Sequence, residues 1–138
     1  MSKKQTTFYA GGFLYNPKRK EVLLHLRDGN TSVNPHKWGF FGGTSEGNET
    51  PRECCSREWK EELGIIVQPK KLIPVCDYLN TDQNTWRHIF MVRSDMPKDH
   101  MQLAEGAGLD WIPINKVFES DLTDKTVHDL RFFLKQQE

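Results

Sequence analysis

The stretch GGTSEGNETPRECCSREWKEELGI, Gly42 to Ile65, decides how the chain is read. Seven acidic or basic residues lie between Arg52 and Glu62, and the run stops at Gly64. Thr50 is placed as an N-cap, Pro51 fits the first helical position, and Glu53 completes a capping box with Thr50. Gly64 is placed to end the helix in a left-handed conformation. At about 100° per residue, Cys55, Trp59 and Leu63 form the stripe that packs on a sheet. Glu58, Glu61 and Glu62 fall on an adjoining arc roughly 100° wide. Like charges at these spacings repel, and partly shielded carboxylates in a group should have raised pKa values. A divalent cation reverses that logic. Oxygen ligands suit Mg²⁺ or Mn²⁺, and Mg²⁺ completes its shell with water and substrate phosphates. The plainer alternative is a solvated helix face laced with ion pairs such as Arg57–Glu61. Gly42-Gly43 in front of the capped helix favours the metal reading, because it brings backbone carbonyls close to the same face.

Outward from this segment, the chain reads as alternating strands and helices. Thr7–Tyr15 is expected as a strand whose paired glycines, Gly11-Gly12, mark a bulge or a close backbone approach. Asn16-Pro17 is a turn, and EVLLHLR, Glu21–Arg27, is a second strand. A polar loop over 28–37 leads to the apolar WGFF. Strand-like runs follow at Leu72–Leu79, Trp86–Arg93 and Leu109–Pro113. From about Thr123 an amphipathic helix places Val127, Leu130, Phe133 and Leu134 on one stripe. The order predicts an α/β domain with helices packed on a mixed sheet.

The 138 residues are one ordinary domain, long enough to bury a core. Nineteen basic and nineteen acidic side chains cancel, so no long-range field argues for a nucleic-acid polymer or membrane surface as partner. No apolar run approaches a bilayer span. The basic MSKKQTTF has no apolar core after it, which points away from a secretory leader. Cys54, Cys55 and Cys76 make neither a disulfide framework nor a zinc spacing, and a reducing cytoplasm is the expected compartment.

The quoted segment resembles the box of the Nudix hydrolases, G-x5-E-x7-R-E-U-x-E-E-x-G-U, where U is a bulky aliphatic residue. Here Gly43 is followed by Glu49 and then by Arg57-Glu58-Trp59-Lys60-Glu61-Glu62-Leu63-Gly64-Ile65. One fixed position differs: Trp59 stands where Ile, Leu or Val is preferred. Near the box, Phe41 replaces a common Pro. The order Glu46-Gly47-Asn48-Glu49 replaces a common Gly before the first Glu, and Asn48 is expected to take the left-handed turn. The resemblance implies a single Nudix domain over 1–138, folded as an α/β/α sandwich with a loop–helix–loop motif. It implies hydrolysis of the diphosphate in a nucleoside diphosphate linked to another group, with Mg²⁺ (or Mn²⁺) as cofactor and a small nucleotide as substrate. Glu58, Glu61, Glu62 and the carbonyl of Gly43 or Gly42 match metal ligands. Glu58, Glu61 and Arg57 match the catalytic set, with Arg57 and Glu49 holding the carboxylates in place.

Weaker resemblances to the small MutT-like enzymes extend further. Glu105, in EGAGLDW, matches a further metal-binding or catalytic carboxylate. Arg27 matches an arginine at the substrate phosphates, and Arg87 one that reaches the nucleobase. The Asn that some members use for oxidised guanine is Thr123-Asp124 here, which leaves nucleotide sugars and ADP-ribose in competition. His25 and His88 are expected to be structural or pocket-lining, and Trp38, Phe40 and Phe41 to pack. The oligomeric state is left open, a homodimer included. The opposing reading is a catalytically silent Nudix-fold module that senses a nucleotide.

Overall fold

The structure, a computed structural model, describes residues 7–27, 29, 36–103 and 108–137. Seven strands make one mixed sheet: β1 (Phe8–Asn16), β2 (Glu21–Leu26), β3 (Trp38–Gly39), β4 (Phe41–Thr44), β5 (Ile73–Asn80), β6 (Thr85–Arg93) and β7 (Gly108–Pro113). Two helices complete it, α1 (Pro51–Leu63) and α2 (Asp124–Gln136). The hydrogen-bonded path runs β3-β2-β1-β6-β5, with β4 paired to β1 and β7 to β2. β1 is the organising strand. It runs parallel to β6 from Phe8 to Tyr15. Its other edge is shared, with β4 beside Tyr9–Gly12 and β2 beside Leu14–Asn16.

Period-two alternation along these strands divides the core between the two helices. Ala10, Leu14, Leu23, Phe41 and Phe90 point to the α1 side, where Cys54, Cys55, Trp59 and Leu63 meet them. Phe13, Tyr15, Val22, Leu24, Ile89 and Met91 point to the other side, against Leu130 and Phe133 of α2. This is the expected α/β/α arrangement.

α1 follows its local signals. Thr50 is the extended N-cap, both capping-box bonds form, and Pro51 opens the helix. Gly64 closes it at φ 69°, its N–H donating to the Lys60 carbonyl. Two of the three departures from the family pattern, Trp59 and Phe41, are one feature in space. The buried Trp59 indole donates Nε1–H to the carbonyl of Phe41 at 2.9 Å, so the larger ring enters the core with its polar atom satisfied. The loop before α1 differs from the expectation. Gly47 takes the left-handed turn at φ 56°, and Asn48 does not have positive φ. Glycine enters that region without the cost a Cβ imposes, so the asparagine is not needed there.

The Gly11-Gly12 pair is a close approach of backbones. A Cβ on Gly12 would lie 1.7 Å from the Phe90 carbonyl oxygen, and one on Gly11 would lie 2.4 Å from that of Phe41. Gly47 meets nothing within 4 Å and differs from alanine only in its φ. Gly12→Ala should therefore cost about 3 kcal/mol or more, because backbone must move. Gly47→Ala should cost roughly 1 kcal/mol, the left-handed penalty alone. Urea denaturation of the two variants checks the ranking.

Candidate functional site

The box residues gather around one cation. Arg57, on the second turn of α1, reaches back to the loop. Its Nε donates to Glu49 Oε2 at 2.5 Å and its Nη2 to Glu49 Oε1 at 3.1 Å. Its Nη1 donates to Glu58 at 3.0 Å and to Glu61 at 3.2 Å, with Glu46 at 3.7 Å. Nη2 also reaches the Thr44 carbonyl at 3.2 Å. The bidentate fork to Glu49 is the geometry that guanidinium supplies and ammonium does not. These bonds hold the Glu49 carboxyl below the usual carboxylate range and push the Arg57 guanidinium up.

Glu58 has the opposite shift. Burial raises its pKa; the hydrogen bond and charge of Arg57 only partly offset that, and Glu61 and Glu46 add smaller repulsion. The cause is visible at Gly43: a Cβ there would sit 2.6 Å from the Glu58 carboxyl carbon. Glycine at 43 lets the carboxylate lie directly on the backbone of β4. Cys54, fully buried, aims its Sγ at the Gly43 carbonyl at 3.6 Å, and burial pushes its thiol up to about 12.

Glu62 is buried at 8% exposure, and its Oε2 accepts the N–H of Gly42 at 3.1 Å. Of the expected ligands, Glu58 and Glu61 are thus drawn together on Arg57, Gly43 lies against Glu58, and Glu62 stands on the β4 backbone through the Gly42 N–H. Among the described residues, no three His, Cys, Asp or Glu are grouped to hold an ion. Glu58 and Glu61 are turned to Arg57 instead. The donor set still fits a hard cation: carboxylate oxygens, one carbonyl, and a half-buried glutamate short of counter-charge. Glu105 lies outside the described residues. Arg27 follows β2 directly, its N–H on the Lys37 carbonyl.

Arg87 belongs to a second network, on the α2 face. Its Nε donates to Asp129 Oδ2 at 2.9 Å, with side chains 12% and 0% exposed. Asp129 Oδ1 also accepts from Tyr78 at 2.7 Å and lies 2.8 Å from His128 Nδ1. The Arg87 guanidinium lies over the Tyr9 ring at 4.5 Å and near that of Phe40 at 5.8 Å. Sequence reading singled out Arg87 but missed Asp129, Tyr78 and Tyr9. A signal was present: Asp129 sits beside Leu130, four residues before Phe133, a charge at an inward position of an amphipathic helix. His25 is buried and stacks on Phe41. His88 contacts Phe8 edge-on, and burial lowers its pKa.

Breaking a buried ion pair from one side leaves the other charge unpaired and typically costs about 3–5 kcal/mol. Asp129→Ala should fall in that range by urea denaturation. Asp121→Ala, whose exposed carboxylate is 3.7 Å from Lys37, should cost less than about 1 kcal/mol.

The family model described as NUDIX domain matches residues 6–135. A curated relative, the 8-oxo-dGTP diphosphatase of Proteus vulgaris, is 32% identical over 88 residues, 64% of this chain and 58% of that protein. The chain thus matches a little over half the length of that relative. A MutT protein from Methanosarcina mazei Go1 superposes with a TM-score of 0.74 at 22% identity, over 100% of both chains. The NUDIX domain of Shewanella oneidensis NrtR, determined in complex with ADP ribose, superposes at 0.74 with 15% identity, over 100% of this chain and 91% of that one. At these identities the two superpositions show the fold alone. No helix among the described residues is long and apolar enough to cross a membrane. With its box on a capped helix and the family model matched over nearly its whole length, the chain belongs to the Nudix family.

Proposed function

We propose that this chain is a divalent-metal-dependent pyrophosphohydrolase. Its substrate class is a nucleoside triphosphate or small nucleotide conjugate, cleaved at the diphosphate linkage. The observation that carries this is Glu58: a half-buried carboxylate pressed on Gly43, with a raised pKa caused by burial, beside Glu61. Such a group is under-neutralised in the folded chain and is suited to take a cation or a proton. Glu58, Glu61, Glu62 and the Gly43 carbonyl would hold Mg²⁺ or Mn²⁺. When bound, the ion supplies charge neutralisation for the diphosphate oxygens.

The chain's own residues supply the rest. Glu58 is the base that takes the proton of the attacking water. Arg57, fixed by Glu49 and the Thr44 carbonyl, keeps Glu58 and Glu61 on the same side of α1. Glu62 ties α1 to β4 through the Gly42 N–H. Arg27 is assigned to the substrate phosphates, Arg87 to the base, and Glu105, which precedes β7 in the sequence, to a further carboxylate. The likeness to a diphosphatase of oxidised dGTP supports the nucleotide class.

A second reading, a nucleotide-binding module without turnover, draws support from the Arg57 bonds that occupy Glu58 and Glu61. A Mg²⁺-supported screen of nucleoside triphosphates, nucleotide sugars, ADP-ribose and dinucleoside polyphosphates separates the two. The hydrolase releases phosphate or pyrophosphate, and the module only binds. For the hydrolase, Glu58→Gln should lower kcat by about 10²–10⁴-fold with the fold intact. A folded variant with unchanged kcat at saturating Mg²⁺ would contradict the role given to Glu58.

A further inference from the structure

α1 covers only part of its face of the sheet. It packs over Ala10 and Phe90 and begins at Pro51, and a row of apolar side chains lies beyond that end. Phe8 of β1, Trp86 of β6 and Leu79 of β5 are lateral neighbours in the ladder. Trp86 is 47% exposed and Leu79 42%. The Trp86 indole stands beside the His88 ring at 6.4 Å, tilted by 23°, and Phe8 meets that imidazole edge-on at 5.3 Å. The projecting indole is therefore braced by His88, which is itself braced by Phe8.

Beside this projection is a hollow. The first turn of α1, at Thr50, Pro51 and Arg52, and the strands β5 and β6, at Asp77, His88 and Phe90, enclose a cleft of about 260 Å³. A cavity of about 150 Å³ takes benzene, so the cleft has room for one indole. It carries one charge of each sign, and neither has an ion-pair partner. Arg52 gives Nη1 to the carbonyls of Pro69 and Leu72 at 3.1 and 2.5 Å and lies over the Phe90 ring at 5.5 Å. Among the described residues its Nε and Nη2 make no hydrogen bond. The exposed Asp77 carboxylate has neither a hydrogen bond nor an ion pair among those residues.

A face with a projecting indole next to an indole-sized cleft, and a cation next to an anion, is complementary to itself. A two-fold axis puts Trp86 of each copy into the cleft of the other, and the Arg52 guanidinium of each opposite the Asp77 carboxylate of the other. We propose that the face formed by the first turn of α1 and the β5–β6 hairpin is the interface of a homodimer, with Trp86 as its anchor. A large aromatic seated in a desolvated pocket carries much of the energy of such a contact. Growth of the sheet by pairing along the outer edge of β5 is opposed by β5 itself. Pro74 and the irregular register between Pro74 and Cys76 interrupt that edge. The copies thus meet face to face, and the contact does not depend on the hydrolase reading.

Sedimentation velocity on the full chain from about 1 to 100 µM, a range that brackets a micromolar Kd, tests the proposal. Wild type should run at twice the chain mass at the top of that range. Trp86→Ala should weaken the dimer by at least about thirtyfold, the effect of removing an anchoring aromatic. Asp77→Arg should weaken it by setting like charges opposite each other, and adding Arg52→Asp should recover most of the loss, because the swap restores the pairing. Phe132→Ala, which removes an exposed ring of α2, should leave the dimer unchanged. A wild type that is monomeric throughout overturns the proposal. So does a dimer that either Trp86→Ala or Asp77→Arg leaves intact, one that Phe132→Ala weakens as much as Trp86→Ala does, or a folded charge swap that recovers nothing. Circular dichroism establishes which variants are folded. If the swap fails to fold, having lost the Arg52 bonds to Pro69 and Leu72, then Trp86→Ala and Asp77→Arg, both at exposed positions, decide.

Discussion

Four carboxylates share one guanidinium where the loop before α1 meets the helix. Glu46, Glu49, Glu58 and Glu61 all lie within 3.7 Å of Arg57. One positive charge cannot balance four negative ones, so the set is over-acidic by construction. The imbalance falls on the most shielded member. Glu49, in the bidentate fork, is held ionised, whereas Glu58 is pushed toward protonation by burial and by its neighbours. A helix built only for stability would not put that group on its inner edge. The rest of the structure serves to hold it there: the capping box fixes where α1 starts, Gly43 makes room for the carboxylate, and Trp59 locks the helix onto Phe41.

The opposite face of the sheet is charge-balanced. Asp129 and Arg87 form one pair, and each oxygen of the carboxylate is engaged. The two faces meet at β1. Phe8 and Ala10 look to α1 while Tyr9 looks to α2, and the Gly11–Gly42 pairing brings the backbones of β1 and β4 together without side chains between them. Tyr9 lies over that pairing and under Arg87. Side-chain alternation along a single strand therefore sets the carboxylate cluster of α1 and the Asp129–Arg87 network on opposite faces of the same strands.

Much of this was legible because it is local. The caps of α1 act over three or four residues, so Thr50, Pro51, Glu53 and Gly64 could be placed from spacing alone. The long strands announced themselves by apolar runs between turns, and the close backbone approach at Gly11-Gly12 by the absence of side chains. The Glu58–Glu61 crowding follows from helical geometry. What escaped was set by tertiary contact. β3 and β4 are too short to show a period within WGFFGGT. Asp129 and Arg87 are 42 residues apart, and nothing in either neighbourhood names the partner. Glu62 read as one of three equivalent glutamates, yet it alone caps a β4 amide, because it falls nearest the buried stripe.

Short of positive charge, the carboxylates of α1 should take a divalent ion. Thermal unfolding in rising Mn²⁺ tests it without any substrate, since an ion that binds only the folded chain stabilises it by RT ln(1 + [L]/Kd). Tm should climb with Mn²⁺, by the equivalent of about 2.7 kcal/mol at a hundredfold excess over Kd, and Glu58→Gln with Glu61→Gln should abolish the climb. A wild-type Tm indifferent to Mn²⁺, or a climb unchanged in the double variant, would show that Arg57 alone satisfies these glutamates.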